Sequence, residues 1–180
     1  MKSVRIGIAF LLFLGSASGL AQISQLRYTL PDHGQLVLPA PTAWKESIQQ
    51  PINRLPPTIT FVSAPGKLFQ VMLTPLWPPA GQAPMTLEQL RALAEKTASD
   101  VKSQATEPEL RILEFQGKSG PGFYFSAIDK APRPDEFKFL TQGILRVGEL
   151  AVTFTILTND GQEAVVQQAL EMLRGAAHTP

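Results

Sequence analysis

The sequence predicts an α+β fold: an antiparallel β-sheet of about six to eight strands, with a long middle helix and a C-terminal helix packed on it. Three observations predict it. Apolar and polar residues alternate with period two along several runs, as in Val152, Phe154 and Ile156 against Thr153 and Thr155. Short turns rich in Gly, Pro and Asp join these runs, which favours antiparallel neighbours. Two segments switch to the three-four spacing of an amphipathic helix, one between two groups of strands and one after the last.

The first element is not part of that fold. MKSVRIGIAFLLFLGSASGLAQ places Lys2 and Arg5 ahead of an apolar run from Ile6 to Leu14, then small residues including Gly19 and Ala21. This is the layout of a secretory signal peptide cleaved after Ala21. The apolar run is shorter than the ~20 residues a membrane span needs. Residues 1–21 are therefore expected to be removed, leaving a single domain over 22–180 that is periplasmic or secreted, monomeric and without a membrane span. The chain has no cysteine, so neither a lipidated N-terminus nor a disulfide is available, and packing alone must hold an exported domain. Losing Lys2 and Arg5 turns 16 cations against 15 anions into 14 against 15. A net charge near −1 gives no electrostatic drive toward nucleic acid or an anionic membrane.

From Gln22 onward the elements follow in order. QLRYTL (25–30) and QLVLP (35–39) flank Asp32-His33-Gly34 and read as a β-hairpin. Pro39 to Pro57 contains five prolines and is expected to be irregular, anchored to the core by Trp44. TITFVSA (58–64) and KLFQVMLTPLW (67–77) form a second hairpin about Pro65-Gly66. Both faces of the latter strand are apolar, so both should be covered. Thr86 with Gln89 makes a capping box, and Leu87, Leu90, Ala94, Ala98 and Val101 mark the buried stripe of the helix that follows. ELRILEFQ, GFYFSAI, EFKFLTQGILRV and ELAVTFTILT are four further strands. Asn159-Asp160-Gly161 ends the sheet, with Asp160 and Glu163 expected to cap a terminal helix that Gly175 stops.

The run Leu36-x-Leu38-Pro39-x-Pro41-x-x-Trp44, placed before paired hairpins, a helix, an antiparallel meander and a C-terminal helix, resembles the PsbP-like fold group. The resemblance implies that fold and a habit of binding partners without catalysis. It carries over no functional residue.

Chemistry is sparse. DKAPRPDE, from Asp129 to Glu136, concentrates three carboxylates and two cations. Asp129, Asp135 and Glu136 could surround Ca²⁺, but they lack the alternating ligands and central glycine of a calcium loop, and Lys130 and Arg133 lie between them. Pro132 and Pro134 stiffen the segment. It reads as a solvated connection, with a docking loop (Asp129, Lys130, Arg133, Asp135, Glu136) and a metal or hydrolytic site as its alternatives. His33 and His178 read as plain surface residues. The one G-x-S-x-G pattern, Gly15 to Gly19, lies in the leader, and no glycine-rich phosphate loop precedes a helix. Trp77, between prolines at a strand end, is the other binding candidate, unless it folds back onto the sheet. The function expected is that of an exported, non-catalytic accessory or binding protein with a protein partner in the cell envelope, without metal, cofactor or nucleic acid. An envelope hydrolase or metal-binding protein built on Asp129, Asp135 and Glu136 is the alternative.

Overall fold

The computed structural model describes residues 22–51, 55–63 and 68–180. The expected leader and the Pro65-Gly66 turn lie outside them. Among the described residues, ten strands divide into two antiparallel sheets. The smaller holds β1 (Ile23–Thr29), β2 (Gln35–Pro41) and β10 (Ala177–Thr179), in the order β1-β2-β10. The larger holds β3 (Trp44–Gln49), β4 (Thr58–Ser63), β5 (Gln70–Leu76), β6 (Leu113–Gly117), β7 (Gly120–Ile128), β8 (Phe139–Val147) and β9 (Leu150–Thr158), in the order β3-β4-β5-β9-β8-β7-β6.

The first helix, α1 (Leu87–Val101), takes the chain from β5 across one face of the large sheet to its far edge, from which β6 to β9 return as a meander. The second, α2 (Glu163–Arg174), lies with the small sheet on the opposite face. The α2 side contains the main core, including Leu36, Leu38, Phe61, Leu73, Phe154, Ile156, Leu170 and Leu173. A second cluster under α1 joins Leu90 and Ala94 to Phe123, Ile144 and Ala151. Sequence alternation and helix spacing thus converge on a sheet covered on both faces.

The Thr86 cap forms as expected: the Gln89 backbone N–H donates to Thr86 Oγ1 at 3.2 Å, and the Thr86 N–H to Gln89 Oε1 at 2.8 Å. Four expectations need correction. Within Pro39 to Pro57, Trp44–Gln49 is a strand rather than irregular chain. Pro39 and Pro41 belong to β2 but lie beyond Val37, the last β2 residue paired to β10, so their missing N–H groups cost no ladder bond on that side. Leu87 is exposed, because the α1 stripe meets the sheet only from Leu90 onward. In the strand expected over 67–77, Leu68 precedes β5 and is likewise exposed, while Val71 and Leu73 of β5 are buried. Finally, α2 starts from Gln162 with no side-chain cap, because Asp160 is engaged elsewhere: both its oxygens accept from Lys138 Nζ, at 2.9 and 3.0 Å.

Trp44 is half-buried, its ring 5.0 Å from that of Phe69 and 6.0 Å from that of Phe61. Two residues further along β3, the Glu46 carboxylate accepts from the buried Tyr28 hydroxyl, tying the small sheet to this edge strand. Burial first, then this hydrogen bond and the negative charge of Glu46, push the phenol well above its ordinary value. The folded state therefore favours the neutral phenol, and the stability it gains is complete below the unfolded value near 10 and lost as pH rises above it. Each pH unit above about 10 should remove about 1.4 kcal/mol through this one group. Ultraviolet titration should show Tyr28 ionising only together with alkaline unfolding; a Tyr28 phenol that titrates near 10 while the protein stays folded would contradict this linkage.

Candidate binding sites at the two ends of the sheet

Trp77 follows the last residue of β5, which pairs with Ala151 near the start of β9. The turns Asp32–Gly34 and Gly148-Glu149 come to the same end. Trp77 packs against the main core and stacks on the His33 imidazole, ring centroids 4.5 Å apart and 22° from parallel. His33 is itself held from behind: His178 Nε2 lies 2.8 Å from the His33 carbonyl oxygen. Pro79 to Gln82 form a tight turn closed by the Gln82 N–H donating to the Pro79 carbonyl at 2.9 Å. Between these parts lies a cleft of about 260 Å³, lined among others by Trp77, Gly81, Gln82, Glu149 and His178.

The reading of His33 and His178 as plain surface residues is therefore corrected. Both are half-buried and linked. Their contact spans 145 positions of the chain and leaves no local trace; only an expectation of strand pairing for Ala177–Thr179 could have revealed it.

The acidic connection lies at the opposite end. Strands of nine residues separate it from Trp77, roughly 30 Å at ~3.3 Å per residue. Its polar groups satisfy one another. Asp129 Oδ1 accepts from the Ala131 N–H at 2.9 Å, Glu136 Oε2 from the Arg133 N–H at 3.2 Å, and the Arg133 carbonyl from the Glu136 N–H at 3.0 Å. Lys130 Nζ donates to the Ser103 carbonyl at 3.1 Å. Asp135 takes a left-handed conformation, φ 72°, in an exposed stretch from Ala131 to Glu136. The Asp129 and Glu136 carboxylates thus serve separate local turns, and among the described residues no group of three or more His, Asp or Glu is placed to hold a metal.

Changing Asp129, Asp135 and Glu136 together to Asn, Asn and Gln should keep these turns, because each replacement retains an acceptor and Asn tolerates a positive φ. The expected loss is at most about 1 kcal/mol, with an unchanged calorimetric response to Ca²⁺, Mg²⁺ and Zn²⁺. Saturable micromolar binding that vanishes in the triple variant would instead establish a metal site.

With α1 on one face of a seven-stranded antiparallel sheet, and α2 and a small sheet on the other, the chain has a PsbP-like fold. The solution structure of cyanobacterial PsbP (CyanoP) from Synechocystis sp. PCC 6803 matches with a TM-score of 0.57 at 13% identity, over 92% of this chain and 99% of that one. A crystal structure from Bacteroides thetaiotaomicron matches more weakly, with a TM-score of 0.41 at 12% identity over 81% of this chain and 45% of that one. No family model and no curated protein matches the sequence. At these identities the likeness is one of fold. Among the described residues no helix is long and apolar enough to cross a membrane.

Proposed function

We propose that this is an exported accessory protein, periplasmic or secreted, that binds a protein partner in the cell envelope without catalysing a reaction, and that the Trp77 end is its contact surface. The observation that carries the reading is the fixed Trp77 ring. Stacked on His33 and followed by Pro78 and Pro79, it can meet a partner with little further loss of side-chain freedom, a property of aromatic anchors at interfaces. The leader-like N-terminus supports export. The hydrolase alternative gains no support from a loop in which Asp129 and Glu136 serve separate turns and Asp135 lies in an exposed stretch.

Two measurements test this. Intact mass of the protein from an exporting host should correspond to loss of residues 1–21; an unprocessed chain would end the export reading. A photo-crosslinking side chain at exposed Gln82 should give one discrete product in the envelope fraction, lost on Trp77→Ala, whereas the same group at Ala131 in the acidic connection should give none. Discrete products from Ala131 alone would move the contact surface to the acidic connection and refute the Trp77 reading.

A further inference from the structure

We propose that a groove at the acidic-connection end, distinct from the Trp77 cleft, is a ligand site for a small molecule with an apolar body ending in an ammonium group. The groove measures about 380 Å³, within the size range of small-molecule pockets. Its floor is the α2-facing side of the sheet: Ser126 and Ile128 of β7, Phe139 and Thr141 of β8, Thr158 of β9. Val166 and Gln167 of α2 overhang it.

Topology explains why this space is open. Strand β6 pairs with β7 only as far as Tyr124, and α2 begins only at Glu163. Past Tyr124 a short segment substitutes for the missing edge. Ala105 bridges to Asp129, the Thr106 N–H donates to the Ile128 carbonyl at 2.8 Å, and the Ile128 N–H donates to Glu107 Oε2 at 3.1 Å. A carboxylate thus occupies the place of a strand carbonyl. Thr106 Oγ1 donates to the same oxygen at 3.2 Å, so Glu107 is held in position with Oε1 left to accept from something else.

Three features fix the ligand chemistry. The lining holds two carboxylates, Glu107 and Glu163, and no cationic side chain; the neighbouring ammonium of Lys138 is committed to Asp160. Glu163 also offsets the partial positive charge of the α2 N-terminus. A ligand carboxylate would meet repulsion here and an ammonium a charge-assisted hydrogen bond. Ile128, Phe139 and Val166 supply apolar wall. Hydroxyls replace apolar side chains at the floor: Ser126 and Thr141 bond each other at 2.8 Å. Thr158, only 3% exposed, has no side-chain hydrogen bond among the described residues, and its hydroxyl opens onto the groove. That hydroxyl is thus free to meet water or a ligand at the floor of the groove.

The test uses 2-phenylethylamine, with 3-phenylpropionate as the oppositely charged probe, each titrated into the purified protein by two-dimensional NMR. The amine should bind saturably, with shifts confined to residues 126–128, 139–141, 158–159 and 163–167, and about tenfold or more tighter than the acid, the effect of one charge-assisted hydrogen bond. Glu107→Gln keeps an acceptor for the Ile128 N–H and should remove that preference. Should that variant not fold, Glu163→Gln on the exposed first turn of α2 should narrow it, and Val166→Trp, which fills the groove, should abolish binding of both. Equal affinity for the two probes, shifts mapping elsewhere, or no saturation by about 10 mM amine would overturn the proposal.

Discussion

Replacing Gly143 by alanine should cost about 3 kcal/mol or more, at or beyond the upper end for overpacking a well-filled core. Gly143 sits in the middle of β8, opposite Tyr124 on one side and Phe154 on the other. A Cβ there would stand 2.3 Å from the Phe123 carbonyl oxygen, 2.6 Å from Tyr124 Cβ and 2.7 Å from Phe154 Cζ. The Phe154 ring, 1% exposed, occupies the space a side chain would need and meets the Phe115 ring edge-on, centroids 6.0 Å apart. The ring could shift; the carbonyl could not without loosening the ladder between β7 and β8. Adding Phe154→Leu should therefore recover only part of the loss. Against a typical total of about 5–15 kcal/mol, the single variant should show a clearly lowered midpoint in chemical denaturation. A loss below about 1 kcal/mol would mean that the strands separate more easily than this contact pattern implies.

The second large effect is expected at Gly34. Its φ is 68°, and a Cβ would come within 2.1 Å of the Thr179 carbonyl oxygen and 2.6 Å of the Pro180 carbonyl carbon. Alanine there faces both the left-handed backbone, roughly 1–2 kcal/mol, and a collision with backbone that only lifting β10 can relieve. Gly34→Ala should thus detach Ala177–Thr179 from β2, release His178 from the His33 carbonyl, and alter Trp77 fluorescence through its stacking partner. Hydrogen exchange at residues 177–179 reports the detachment. Protection equal to that of the unaltered protein would show that the turn, rather than the terminal strand, gives way.

Local signals were legible where the physics is local. Thr86 and Gln89 announce a cap because the two bonds close within three residues, and Val152, Phe154 and Ile156 announce a half-buried strand because the pleat alternates every residue. Prolines misled where their meaning depended on neighbours: Pro39 and Pro41 are tolerated in β2 because β10 ends before reaching them, a fact held in residues 177–179. Asp160 has the composition of a cap, but the spatially adjacent Lys138 claims it. The candidate sites were harder still. Trp77 and the charges of 129–136 stand out by residue type, whereas the partner of Trp77 and the hydroxyl-floored groove arise from contacts between distant segments. Thr158 reads in the chain as one more alternating strand residue, and Glu107 as a loop acid.

The order in which the chain emerges makes one consequence of β10 follow. The innermost strand of the small sheet, β2, receives its second neighbour only from residues 177–179, about 140 positions later, and β5 waits some 80 positions for β9. Neither sheet can close before its late strand is available, so the domain cannot complete its fold until residues 177–179 have been made. Such long-range pairing also slows refolding toward the millisecond-to-second range of strand-rich domains. Stopped-flow refolding complete within microseconds would argue against that delay.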